Sequence, residues 1–141
     1  MLSQTAEYAL RAMISLARGG SHTAQDIAQN TRIPLDYLAK ILNSLSRAGL
    51  VSAQRGRHGG FQAARPAAEI SVLDVVAAVD PVRRIFTCPL GLTEHGTDLC
   101  PLHRKLDDAA RSMEETFQAT TIGSLAGVPF CGGEASNAVV Q

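Results

Sequence analysis

Residues 34–66, "PLDYLAKILNSLSRAGLVSAQRGRHGGFQAARP", restrict the fold more than any other stretch of the chain. Leu35, Leu38, Ile41, Leu42 and Leu45 recur in steps of three and four, the period of one helical face. Pro34 can open that helix, and Gly49 ends it. Leu50 and Val51 then begin an extended run. A second such run follows "RGRHGG", which reads as a glycine-rich hairpin tip loaded with positive charge. A helix that stops on glycine and passes straight into a basic hairpin is compatible with few architectures.

The residues upstream narrow the choice. "SQTAEYALRAMISLARGG" (3–20) has helical period, with Ser3 as its cap and Gly19-Gly20 as its stop. "HTAQDIAQNTRIP" (22–34) predicts a short helix capped by Thr23, with Ala24, Ile27 and Ala28 facing inward. Helix, short helix, turn, longer helix and basic hairpin is the order of a winged helix-turn-helix. The chain is therefore expected to be mainly α, with its third helix in a DNA major groove and its hairpin at phosphates or the minor groove. On the third helix Asp36, Tyr37 and Lys40 project away from the apolar side. Tyr37 can pack on a thymine methyl, Lys40 can reach guanine acceptors, and Asp36 can accept from cytosine. Arg55, Arg57 and His58 sit among the glycines of the hairpin tip, as a phosphate or minor-groove contact requires. The plain alternatives are a solvated helix face with a stray tyrosine, and arginines that serve solubility.

Charge supports a polyanion partner for the first half only. Residues 1–65 carry eight Lys/Arg against three acids, whereas residues 66–141 carry five against ten, so the formal net charge is zero. The chain is 45% hydrophobic but has no Trp and only two Tyr, so its core is Leu, Val, Ile and Ala. Small helical proteins of that kind often finish burying their surface by dimerising. No apolar run reaches the length of a membrane span, and the N-terminus lacks a signal-peptide pattern, so a cytoplasmic location is expected. There, cysteines serve as ligands or reactive thiols more often than as disulfides.

"ISVLDVVAAVDP" (70–81) predicts another helix, capped by Ser71 and ended by Pro81. A loop follows, and then a long helix from about Pro101 to Gln118. Leu102, Leu106, Ala109, Ala110, Met113 and Phe117 line one side of it, for a partner subunit or the domain body. Thr121–Leu125 adds a short turn, and the small-residue tail from Gly127 is expected to be poorly ordered. This divides the chain into a winged-helix unit (1–80), a Cys/His loop (81–100), a dimerisation helix with its following turn (101–126) and a tail (127–141).

The loop holds "CPLGLTEHGTDLCPLH" (88–103), with two of the three cysteines and two of the four histidines. A metal or cluster, a redox-active thiol pair and a loop of no special chemistry are all open. If Cys100 caps the long helix, it lies at the positive end of the helix dipole, where a thiolate is favoured. His103, three residues on, falls on roughly the same side of the first turn. The spacing Cys-x6-His-x4-Cys-x2-His is no standard zinc-finger pattern, which ranks Zn²⁺ low. An enzyme built on this loop is disfavoured, because there is no C-x-x-C, no phosphate-binding glycine motif and no nucleophile–base–orienter set.

"EYALRAM", "IPLDYLAKILNSLSRAGLV", "RGRHGGF" and "ARPAAEISVLDVVAAVD" together resemble the bacterial regulator family that includes IscR, NsrR, RirA and CymR, over roughly residues 1–125. The resemblance implies a homodimer formed through the long C-terminal helix and a pseudo-palindromic DNA operator. It places Asp36, Tyr37 and Lys40 where family members contact bases, and Arg55 on the wing arginine. In the IscR and NsrR branches three loop cysteines hold an Fe–S cluster, the fourth ligand being a His or an acid from the first helix of the other subunit. Cys88 matches the first cysteine, Cys100 the third, His103 the His ligand and Glu7 the first-helix acid. The middle cysteine is missing. His95 lies near its place, and Cys131 matches nothing. The resemblance thus implies a repressor that senses redox state, iron or nitric oxide through a 2Fe–2S cluster on Cys88, Cys100, His103 and Glu7. Zn²⁺ on the same set is one alternative. The other is no cofactor, as in CymR-like members that act through protein partners or thiol chemistry.

Overall fold

The computed structural model describes residues 2–92, 94 and 98–127. Ser3 caps the first helix, α1 (Gln4–Ala17), by accepting from the Ala6 amide at 3.2 Å. Thr23 and Asp26 cap each other reciprocally and start α2 (Ala24–Thr31). Such caps satisfy amides that have no partner within the helix, and each contributes about 1 kcal/mol. Arg32, in the left-handed conformation, turns the chain after α2. Pro34 then leads into α3 (Leu35–Arg47), whose Leu38, Ile41, Leu42 and Leu45 are buried. After Gly49 come β1 (Val51–Gln54) and β2 (Gly60–Ala63), antiparallel, with Val51 opposite Ala63 and Gln54 opposite Gly60. A 3-10 turn (Ala67–Glu69) precedes α4 (Val72–Val79), which Ser71 and Asp74 cap as Thr23 and Asp26 cap α2. α5 spans Pro101–Ala119, and the single turn α6 spans Ile122–Leu125 behind the cap Thr121.

The chain is a winged helix-turn-helix with a long C-terminal helix, as expected. α1 is its hub, touching α2, α3, α4, α6 and β2. Ala6, Ala9 and Ala12 on α1 are fully buried, and side chains that small let neighbouring helices come close. Met13, Leu16, Ile27, Leu38, Leu45 and Val76 fill the core around them. α6 is stitched back onto the start of α4: the Val72 amide donates to the Thr120 carbonyl and the Ile122 amide to the Ile70 carbonyl, both at 2.8 Å. Ile122 is fully buried there.

His22, just before the cap Thr23, has a structural task. Its amide donates to the Phe61 carbonyl at 2.9 Å, and its carbonyl accepts from the Phe61 amide at 2.7 Å, so the strand before α2 holds the base of the wing. Gly60 makes that approach possible. A Cβ there would stand 2.6 Å from the His22 carbonyl oxygen and 2.8 Å from Ser21 Oγ. Gly60→Ala is expected to cost about 1–3 kcal/mol, as overpacking against backbone does, and a urea melt measures it.

α5 contributes no buried residue. Phe117 is half-buried against the core and Met113 is half-buried, but Leu102 is 64% and Leu106 49% exposed. In the single chain, the first half of the apolar stripe is open.

Candidate nucleic-acid interface and thiol loop

The first two turns of α3 present Asp36, Tyr37 and Lys40 on an exposed side, while the helix's buried side is leucine and isoleucine. Arg55, Arg57 and His58 are all exposed at the wing tip, where the Gly59 amide closes a turn on the Gly56 carbonyl at 2.9 Å. Among the described residues, Lys40, Arg55 and Arg57 have no acidic partner within ion-pair distance. Their charge is therefore available to a polyanion. Tyr37 has neighbours that its position in the sequence does not announce. Its hydroxyl lies 2.9 Å from Thr5 Oγ1, and its ring meets that of Tyr8 edge-on at 5.7 Å between centroids.

The second region is built by Arg84, a residue that no motif singles out. Its guanidinium grips both carboxylate oxygens of Asp107, at 2.7 Å each, and donates to Glu114 at 3.1 Å. The Ile85 amide adds a bond to the same Asp107 at 2.8 Å, and the Phe86 ring lies against the guanidinium. This bidentate clamp fastens residues 84–86 to α5 and so fixes where the Cys/His loop begins. The Arg84 hydrogen bonds, with that from Ile85, hold the Asp107 carboxyl at about 2, below its ordinary 3.8, and the two acids raise Arg84. A carboxyl depressed on folding stabilises fully above its unfolded value and loses that contribution as pH falls through the folded one. The clamp should thus hold above about pH 4 and fail towards about pH 2. Amide hydrogen exchange in α5 across this range should show a step that Asp107→Asn lacks.

At the other end of the loop Cys100 is the N-cap of α5 and Pro101 its first residue. Cys100 Sγ lies 3.2 Å from His103 Nδ1, so the expected pair is assembled. Cys88 and Cys100 are both partly exposed. Glu7 is exposed on α1 and forms an ion pair with Arg11 one turn along. Among the described residues no three His, Cys, Asp or Glu side chains gather as a metal site would need. The structure brings Cys100 and His103 together, while Glu7 is paired with Arg11. His95 and Cys131 lie outside the described residues.

Comparison with known proteins agrees with this layout. Residues 2–127 match the Rrf2 family, described as iron-dependent transcriptional regulators. A provisionally named HTH-type transcriptional regulator of Mycobacterium tuberculosis (strain H37Rv) is 38% identical over 133 residues, covering 89% of this chain and 81% of that one. Among solved structures, CymR, the global cysteine regulator of B. subtilis, superposes with a TM-score of 0.74 at 26% identity, over 89% of this chain and 95% of CymR. IscR of T. potens superposes with a TM-score of 0.73 at 23% identity, over 89% of this chain and 85% of IscR, a likeness of fold. These relatives are regulators rather than enzymes. Among the described residues no helix is long and apolar enough to cross a membrane.

Proposed function

The chain belongs to the Rrf2 family of DNA-binding transcriptional regulators, and from that premise we propose that it acts in the cytoplasm as a homodimeric repressor on a pseudo-palindromic operator. The recognition surface is Asp36, Tyr37 and Lys40 on α3, flanked by Arg55, Arg57 and His58 on the wing. The carrying observation is that Lys40, Arg55 and Arg57 are exposed on these elements with no acid partner among the described residues. The open half of the α5 stripe supports dimerisation, since a second copy would cover Leu102 and Leu106. Enrichment of duplexes from a random-sequence pool, followed by footprinting, tests the reading. It requires two half-sites related by a dyad, about one helical turn apart. A single isolated half-site would overturn the dimer.

The signal is proposed to enter at the 88–103 loop, which the Cys100–His103 contact supports. A thiolate and an imidazole suit an Fe–S or zinc centre, but one chain gathers only these two donors among the described residues. Cys88 of the same loop and Glu7 of a second copy are the residues that would complete a 2Fe–2S site. Glu7 would have to leave Arg11 to do so. A bound cluster would supply lability towards oxidant, iron supply and nitric oxide. The count of two donors also favours a second reading, in which Cys100 acts as a thiol beside His103 with no cofactor, or a protein partner carries the signal. Iron and zinc analysis with a visible spectrum, on protein purified without oxygen, decides between them. Stoichiometric iron with visible absorption supports the cluster, and colourless, metal-free protein overturns it.

A further inference from the structure

Tyr37 lies on the recognition helix, yet its side chain is held by α1. Its hydroxyl is 2.9 Å from Thr5 Oγ1, and its ring meets the Tyr8 ring at 87°, edge to face. Tyr8 is itself fixed. Gln4 Nε2 donates to its hydroxyl at 2.8 Å, and the Arg11 guanidinium lies 5.6 Å from its ring centroid. Gln4 and Thr5 lie four and three residues before Tyr8, and Arg11 three after it, so they form one flank of α1, and Thr5 and Tyr8 on it meet the start of α3.

A cleft of about 210 Å³ opens beside this contact, lined by Thr5, Tyr37, Lys40, Ile41, Ser44 and Val79. On α3, Lys40 lies between the other two, about 40° from Asp36 and about 60° from Tyr37, while Tyr37 is turned roughly 100° from Asp36 and is held against α1 by Thr5 and Tyr8. Reaching a base edge would take the Tyr37 hydroxyl from Thr5 and its ring from Tyr8.

We propose that Tyr37 is a positioning residue: Thr5 and Tyr8 hold it, it sets how the first turn of α3 is presented, and Asp36 and Lys40 do the reading. The inference rests on the DNA-binding reading above and refines the part that Tyr37 plays in it.

Full-length Thr5→Val, Tyr37→Phe, the double variant and Thr5→Ser test it. The probes are a duplex enriched from a random-sequence pool by wild-type protein and a duplex of randomised sequence. Thr5→Val and Tyr37→Phe should each lower the selected-to-random affinity ratio about fivefold, the worth of one hydrogen bond. The double variant should lose no more than either single one, because each hydroxyl acts through the other. Thr5→Ser, which keeps the hydroxyl, should match wild type, and Thr5→Val should keep wild-type affinity for random duplex. Loss in Tyr37→Phe with none in Thr5→Val would make the tyrosine hydroxyl a direct reader and overturn the proposal. Additive losses, or no loss in either, would overturn it as well. Failure of wild-type protein to enrich any duplex would instead sink the DNA-binding reading.

Discussion

Operator affinity should fall about a thousandfold as salt rises from roughly 50 to 200 mM. Each chain offers Lys40, Arg55 and Arg57, exposed and without acid partners among the described residues. A dimer that brings all of them to the duplex, Arg55 and Arg57 at phosphates and Lys40 in the groove, releases about six counterions, a slope near −5 in log affinity against log salt. Replacing Arg55 and Arg57 by Gln leaves about two such contacts, so the same change in salt should cost only about tenfold. Fluorescence anisotropy with a selected duplex measures both slopes. The arginines stand on a hairpin tip, away from the buried core, so the double variant should melt like wild type. A slope unchanged by removing both arginines would take the wing off the DNA. A wild-type slope near zero would dispose of the electrostatic footprint altogether.

Where the sequence was readable, the physics is local. Ser3, Thr23 and Ser71 cap amides within three residues of themselves, and the leucine spacing in α3 repeats every turn, so helix starts and buried faces could be read along the chain. The hairpin was announced by its glycines. Cys100 and His103 could be paired in advance for the same reason, because a cap and the third helical residue lie side by side. What escaped was non-local. The bridge of His22 to Phe61 spans thirty-nine residues of sequence and leaves no periodic trace. Arg83 and Arg84 look alike as letters, and only the path of the chain past α5 gives Arg84 two carboxylates. Tyr37 was legible as an exposed aromatic on a recognition helix. Its partners Thr5 and Tyr8 belong to a helix some thirty residues earlier. Cys88 stands in a stretch without period, so no argument from spacing could set its distance from Cys100.

Cys100→Ser should abolish the response of DNA binding to oxidant or nitric oxide, together with any visible chromophore of protein purified without oxygen. The substitution is a clean one. Cys100 caps α5 without a side-chain hydrogen bond to the helix backbone, and serine is a better N-cap than cysteine, so the helix should start where it did. What disappears is the thiol 3.2 Å from His103 Nδ1. Cys88→Ser should act in the same direction, and Cys131→Ser, outside the described residues, should leave both readouts intact. His103→Ala and Glu7→Ala then divide the two readings of the loop. With a cluster bound, either change should make it labile. With a bare thiol, His103→Ala should slow the reaction of Cys100 and Glu7→Ala should do nothing to it. Glu7→Ala also removes an exposed i,i+4 pair with Arg11, worth only about 0.3–0.5 kcal/mol, so a large effect on the chromophore would come from ligation and not from stability. If Cys100→Ser protein releases its selected duplex on oxidant and nitric oxide as wild type does, the 88–103 loop is not the sensor, and the signal reaches the wing through a bound partner instead.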